Sequence, residues 1–137
     1  MYKLDYASKD PIYQQIVDQT KLSIAKGYLQ DGDQLPSVRD MAKDLLVNTS
    51  TITRAYKEME TLGLIQTVVG KGTFISLDDK KMEWEREKLI ERLTELFHQC
   101  EFFNISLDEI NELYKNIKED KKWYLKEKIF LSPLTEK

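Results

Sequence analysis

The sequence predicts a mainly α fold with one small β-hairpin, arranged as a three-helix-plus-hairpin half followed by a purely helical half. Three observations predict it. Apolar residues recur at helical spacing in three short segments before Gly63, two β-branched and aromatic runs then flank Gly70-Lys71-Gly72, and from Met82 onward the apolar pattern is helical throughout.

The first helix opens at Asp10-Pro11, with aspartate expected as the cap and proline at the first helical position, where a missing N–H costs nothing. Ile12, Ile16, Leu22 and Ile24, with Tyr13 and Val17 beside them, form its apolar face, and Gly27 stops it. Residues 29–35 (LQDGDQL) are a turn-rich connection. Ser37 caps a second helix, with Asp40 three residues on near the positive helix end and Met41, Ala42 and Leu45 facing inward. Val47-Asn48 breaks that pattern. A third helix follows at about residues 50–62, capped by Asn48 or Thr49, with Ile52, Ala55, Tyr56, Met59 and Leu62 on its inner face. Gly63 closes it. Residues 64–69 and 73–77 are the hairpin strands around the glycine turn.

Residues 78–81 (DDKK) form a charged connector, so the expected domains are 1–77, the connector, and 82–137. In the last of these, Leu89, Leu93, Leu96, Phe97, Cys100 and Phe103 make one stripe. Ser106 and Glu109 form a capping box opening another helix, with Leu107, Ile110, Leu113, Tyr114 and Ile117 on its face. Two helices cannot enclose both stripes, which implies a partner surface, most simply an identical subunit. Cys100, the single cysteine, is expected as a buried thiol. Residues 123–131 (WYLKEKIFL) are either a third amphipathic helix that packs across the dimer or a membrane-surface segment, packing being favoured because Pro133 ends the pattern early.

Composition narrows the function. A hydrophobic fraction of 41% with 33% charged residues describes a soluble folded chain. No stretch suits a membrane span and the N-terminal residues lack signal-peptide order, so the expected location is the cytoplasm, away from membranes. The net charge is −3, yet residues 1–76 carry nine basic and nine acidic side chains against twelve and fifteen afterwards. The acidic excess therefore lies in the second half. That balance disfavours a sequence-blind nucleic-acid coat and leaves room for a selective binder. A lone histidine, His98, gives no metal cluster and no cofactor is expected. The alternating charges from Glu83 to Arg92 are a solvated helix face, and without a phosphate loop, nucleophile elbow or Cys/His dyad nothing points to an enzyme.

The segment from Ser37 to Leu62 has the proportions of a helix-turn-helix, in which one helix sits on the DNA backbone and positions a second in the major groove. The hairpin after it suits a wing, its glycine amides free to approach phosphate. The whole is then a winged helix-turn-helix domain followed by an α-helical dimerisation segment. Residues 11–76 resemble the DNA-binding domain of the GntR family of bacterial regulators. The ordered elements G-x-L-x-x-G-D-x-L-P-S-x-R, T-x-x-R-A-Y and G-x-G-T-F carry the likeness. The short second half further resembles the YtrA-like subfamily.

The resemblance implies a transcription regulator, most simply a repressor, that binds an inverted-repeat operator in double-stranded DNA as a homodimer. It implies backbone or groove contacts from Arg39, Arg54 and the wing at Gly70, Lys71 and Gly72, and base reading by Asn48, Thr49, Ser50, Thr51 and Thr53. Many members carry arginine where this chain has Thr49 and Thr53, which shifts the expectation from bidentate guanine contacts toward hydroxyl, methyl and shape readout. Other roles stay open at these positions. Arg39 either reaches DNA or pairs with Asp40 or Asp44 on its own helix. Ser50 and Thr51 can cap as well as contact, and the hairpin can be a plain turn. A small-molecule effector between subunits is compatible with the pattern but specified by no residue. The rival reading is a winged-helix adaptor that binds proteins instead of specific DNA.

Overall fold

The computed structural model describes residues 2–126, with side chains described through residue 119. Along it run α1 (Ile12–Ala25), β1 (Gln34–Leu35), α2 (Val38–Leu45), α3 (Thr49–Thr61), β2 (Ile65–Val68), β3 (Gly72–Ile75), α4 (Asp79–Phe102) and α5 (Leu107–Lys126). The chain divides into two compact units, one ending at Met82 and one beginning at Glu83.

In the first unit α1 and α2 both pack on α3. Ile16, Val17, Met41, Ile52, Met59 and Ile75 are sealed from solvent at the centre. The helix starts follow the side chains that satisfy their orphan amides. Ser37 Oγ accepts from Asp40 N at 3.1 Å to start α2, and Asn48 Oδ1 accepts from Ser50 N at 3.1 Å to start α3. Asn48, not Thr49, is thus the cap. At α1 the expected arrangement shifts by one residue. Pro11 is itself the cap, with extended backbone (ψ 153°), and its carbonyl accepts from Gln14 N and Gln15 N. Asp10 caps nothing; its carbonyl accepts from Gln15 Nε2 at 2.9 Å.

The face that α1 buries is more polar than its apolar residues suggest. Gln15, Gln19, Thr20 and Ser23 are buried beside Ile16 and Val17. The glutamines are paid for by the N-terminal segment, whose main chain they bind as a neighbouring strand would. Gln19 accepts from Lys3 N at 2.9 Å and donates to Lys3 O at 2.6 Å, while Gln15 accepts from Asp5 N at 2.8 Å and donates to Asp5 O at 2.9 Å. Tyr2 Oη lies 2.7 Å from Thr20 Oγ1. Desolvation pushes the Tyr2 phenol up to about 12, the Thr20 hydrogen bond opposing it only in part. Tyr56, buried on α3, donates to Pro36 O at 2.6 Å. Burial, and secondarily the Tyr2 charge, raise its pKa further still.

The hairpin is antiparallel, with Ile65 opposite Ile75 and Val68 opposite Gly72. It gains a third strand that the turn-rich residues 29–35 conceal, because β1 pairs with β3 (Gln34 opposite Phe74, Leu35 opposite Thr73), giving the order β1-β3-β2. Two residues carry too little alternation to be seen as a strand alone. Gly63, at φ +80°, closes α3 where a Cβ would lie 2.7 Å from Lys81 Cβ, so glycine fits both the backbone and the space.

Residues 78–81, expected as a charged connector, lead directly into a helix. Asp78 Oδ1 accepts from Lys81 N at 3.1 Å, a helix cap, and α4 is under way by Asp79. In the second unit, the capping box forms as expected, with Ser106 N donating to Glu109 Oε2 at 3.0 Å and Glu109 N to Ser106 Oγ at 3.2 Å. No side chain of α4 is buried. Cys100, expected as a buried thiol, is half-buried within the single chain. Trp123 to Lys126 continue α5, and the remainder of the tail expected at 123–131, with its side chains, lies outside the described residues. Among the described residues no helix is long and apolar enough to cross a membrane.

Candidate nucleic-acid interface

The outward face of α3 is built from the residues left over once Ile52, Ala55, Tyr56 and Met59 turn inward. Thr49, Ser50, Thr53, Arg54 and Lys57 are exposed, and the first carboxylate on the helix is Glu58. Ahead of Glu58 the helix therefore presents hydroxyls and two cations, Arg54 in the second turn and Lys57 just after it, with the partial positive charge of the helix start unopposed. Such a surface suits groove edges and phosphate.

The remaining expected site residues are placed as follows. Asn48 is exposed, its Oδ1 engaged in the cap and its amide nitrogen outside that bond. Thr51 is half-buried and, with Ser50, lines a cleft of about 410 Å³ shared with Pro11, Ile12, Tyr13 and Arg54, so it is less open to solvent than Thr49, Ser50 and Thr53. Arg39 is exposed on α2 and, among the described residues, has no hydrogen bond or ion pair with Asp40 or Asp44. Arg54 is not a free arm. Its guanidinium Cζ sits 3.9 Å from the Tyr13 ring centroid, and Nη2 donates to Tyr13 Oη at 3.3 Å.

At the wing, Val69, Gly70 and Lys71 are exposed, Val69 almost completely. Gly70 (φ +79°) has open space around it, whereas a Cβ on Gly72 (φ +123°) would meet Gln34 Nε2 at 2.6 Å. The two glycines thus differ: the first opens the tip, the second admits Gln34, which donates to Lys71 O at 3.3 Å and ties the tip to β1. Thr67 and Thr73 hydroxyls, 3.2 Å apart, brace the strands below.

Three contributors escaped the sequence reading: Lys57, Gln34 and Tyr13. Lys57 was discoverable as the exposed i+3 neighbour of Arg54. Tyr13, taken with the apolar face of α1, gave no signal, since its partner is forty-one residues away. Among the described residues no three His, Cys, Asp or Glu side chains converge to hold a metal.

Comparison with known proteins agrees with this geometry. Residues 12–75 match the family described as bacterial regulatory proteins, gntR family. The chain is 37% identical over 124 residues to the HTH-type transcriptional repressor YtrA of Bacillus subtilis (strain 168), covering 89% of this chain and 95% of that one. Among solved structures, a transcriptional antiterminator from Listeria monocytogenes EGD-e superposes with a TM-score of 0.62 at 34% identity, over 88% of this chain and 91% of that one. YtrA from Sulfolobus acidocaldarius, a GntR-family transcription factor, does so with a TM-score of 0.52 at 36% identity, over 85% and 97%. With its helix-turn-helix, its wing and relatives matched along nearly their full lengths, the chain belongs to the GntR family of bacterial regulatory proteins and is a DNA-binding regulator of transcription.

Proposed function

We propose that the protein works in the cytoplasm as a homodimeric repressor on an inverted-repeat operator, a second copy covering the apolar faces of α4 and α5. The observation that carries the reading is the acid-free, hydroxyl-and-cation face over the first two turns of α3. Two such helices, with half-site centres ~10 base pairs apart, enter successive major grooves on one side of the duplex. Thr49, Ser50 and Thr53 read base edges and methyl groups, with the Asn48 amide beside them and Thr51 at the margin toward α1. Arg39, Arg54, Lys71 and the backbone of Gly70 and Gly72 hold phosphate. Repression is carried over from the name of the Bacillus subtilis relative, and occlusion of a promoter is its simplest mechanism.

Gel-shift titration against duplex from the protein's own upstream region, with scrambled competitor, tests this reading. Selective binding is expected. Arg39→Ala and Arg54→Ala weaken binding to all sequences, each removing one phosphate contact per protomer and so reducing the dimer's salt slope by about 1.8, whereas Thr53→Ala changes base preference with the slope intact. Equal binding to the scrambled duplex would favour the adaptor reading instead.

A further inference from the structure

We propose that Tyr13 is a positioning residue for DNA binding, holding the Arg54 guanidinium in place before the duplex arrives. The inference rests on the reading of Arg54 as a phosphate contact and adds a residue on another helix to that function. Arg54 is the longest side chain on the first two turns of α3, among the short Thr49, Ser50 and Thr53. Left alone, it would sample many rotamers, and the freedom lost on contact would weaken binding. Tyr13 removes much of that freedom in advance. The guanidinium lies over the ring at 3.9 Å, Nη2 donates to the phenol oxygen at 3.3 Å, and both residues line the cleft between the starts of α1 and α3.

Stacking leaves the other guanidinium face and its remaining N–H groups for phosphate. Tyr13 itself is half-buried with its ring face occupied, which suits a support better than a reader. The support is anchored in turn. Gln15, two residues on, bonds Asp5 and Asp10 of the N-terminal segment and so fixes the first turn of α1.

The test is fluorescence anisotropy of the full chain on duplex from its own upstream region, at several salt concentrations, after thermal melting has shown each variant folded. Arg54→Ala, which removes one phosphate contact from each protomer, should flatten the salt slope by about 1.8. Tyr13→Leu should weaken binding about fivefold with the slope unchanged, because the charge remains. Tyr13→Phe, which keeps the ring, should bind nearly as wild type. In the Arg54→Ala background, Tyr13→Leu should cost nothing further. Tyr13→Met is measured in parallel, so that a folding defect in one variant does not decide the matter. Losses that add across Tyr13 and Arg54, or wild-type binding by both Tyr13→Leu and Tyr13→Met, overturn the proposal. If Arg54→Ala itself binds as wild type at every salt concentration, the phosphate reading of Arg54 fails and this proposal with it. A flattened slope in Arg54→Ala beside silent Tyr13 variants removes the positioning role alone.

Discussion

In the unit ending at Met82, Ile16, Met41, Ile52 and Met59 have no exposed surface, and every buried side-chain polar atom among the described residues has a hydrogen-bond partner. On α4 no side chain is buried; Leu93 is 41% exposed, Leu96 53% and Phe102 80%. Both regions hold apolar residues at helical spacing, so periodicity alone does not tell them apart. What differs is how many directions neighbouring elements cover. Three helices and a sheet surround a core, whereas a long helix of single-chain contacts keeps its stripe in water and draws its stability from whatever covers it.

The largest expected effect comes from breaking the second region. Leu93→Glu with Phe97→Glu places two carboxylates on the α4 stripe, where burial against a second copy would strand them without partners. The pair is expected to turn a dimer into a monomer by analytical ultracentrifugation and to weaken operator binding at least 100-fold, since the second half-site then loses its effective concentration. The first unit should still unfold cooperatively. A dimeric double variant would show that the contrast misidentifies the interface.

Within the first unit, Ile52→Ala removes a fully buried side chain and should destabilise by about 3 kcal/mol in urea titration. Leu96→Ala, measured at a dilution where the protein is monomeric, should fall within about 0.5 kcal/mol, because nothing closes over that side chain in one chain. Equal losses would erase the distinction between the regions.

A smaller effect concerns the seam inside the first unit. Gln19→Ala removes the paired Gln19 hydrogen bonds to the Lys3 amide and carbonyl and should cost about 2 kcal/mol. The same seam predicts an alkaline limb. The Tyr2 phenol titrates near 12 in the folded chain against an ordinary value near 10, so the unfolded state gives up this proton first. Its contribution is complete below about pH 10 and declines as pH rises toward 12. Tyr2→Phe should flatten that part of the stability profile; an unchanged slope between pH 10 and 12 would place the sensitivity elsewhere, with Tyr56 the next group to examine.

The boundary between what is legible in the sequence and what is not follows the range of the interaction. Ser37, Asn48 and the Ser106 and Glu109 pair announce helix starts because cap and amide lie within three residues. Gly70 to Gly72 announce the turn for the same reason. β1 stays hidden since its pairing with β3 spans some forty residues. Gln15 and Gln19 look solvent-facing by polarity, and only the N-terminal segment folded across them makes their burial tolerable. The candidate site divides likewise. The exposed hydroxyls of α3 can be assigned from helical spacing, but the Tyr13 ring beneath Arg54 depends on two helix starts meeting in space.

The smallest expected effect tests whether exposure by itself marks a partner surface. Leu46, between α2 and α3, is 88% exposed and left-handed at φ 57°. Unlike the exposed residues of α4, it stands alone instead of continuing a stripe, and scattered apolar residues on a surface need no partner. Glycine there would relieve roughly 1 kcal/mol of left-handed strain while adding about 0.5 kcal/mol of unfolded-chain entropy. Little burial is lost in the exchange. Leu46→Gly should therefore stabilise the first unit by about 0.5 kcal/mol in chemical denaturation and leave operator affinity unchanged within roughly twofold. A clear loss of stability or binding would mean that a lone exposed apolar residue here has a partner, and that the division between the two regions has to rest on something other than the continuity of the stripe.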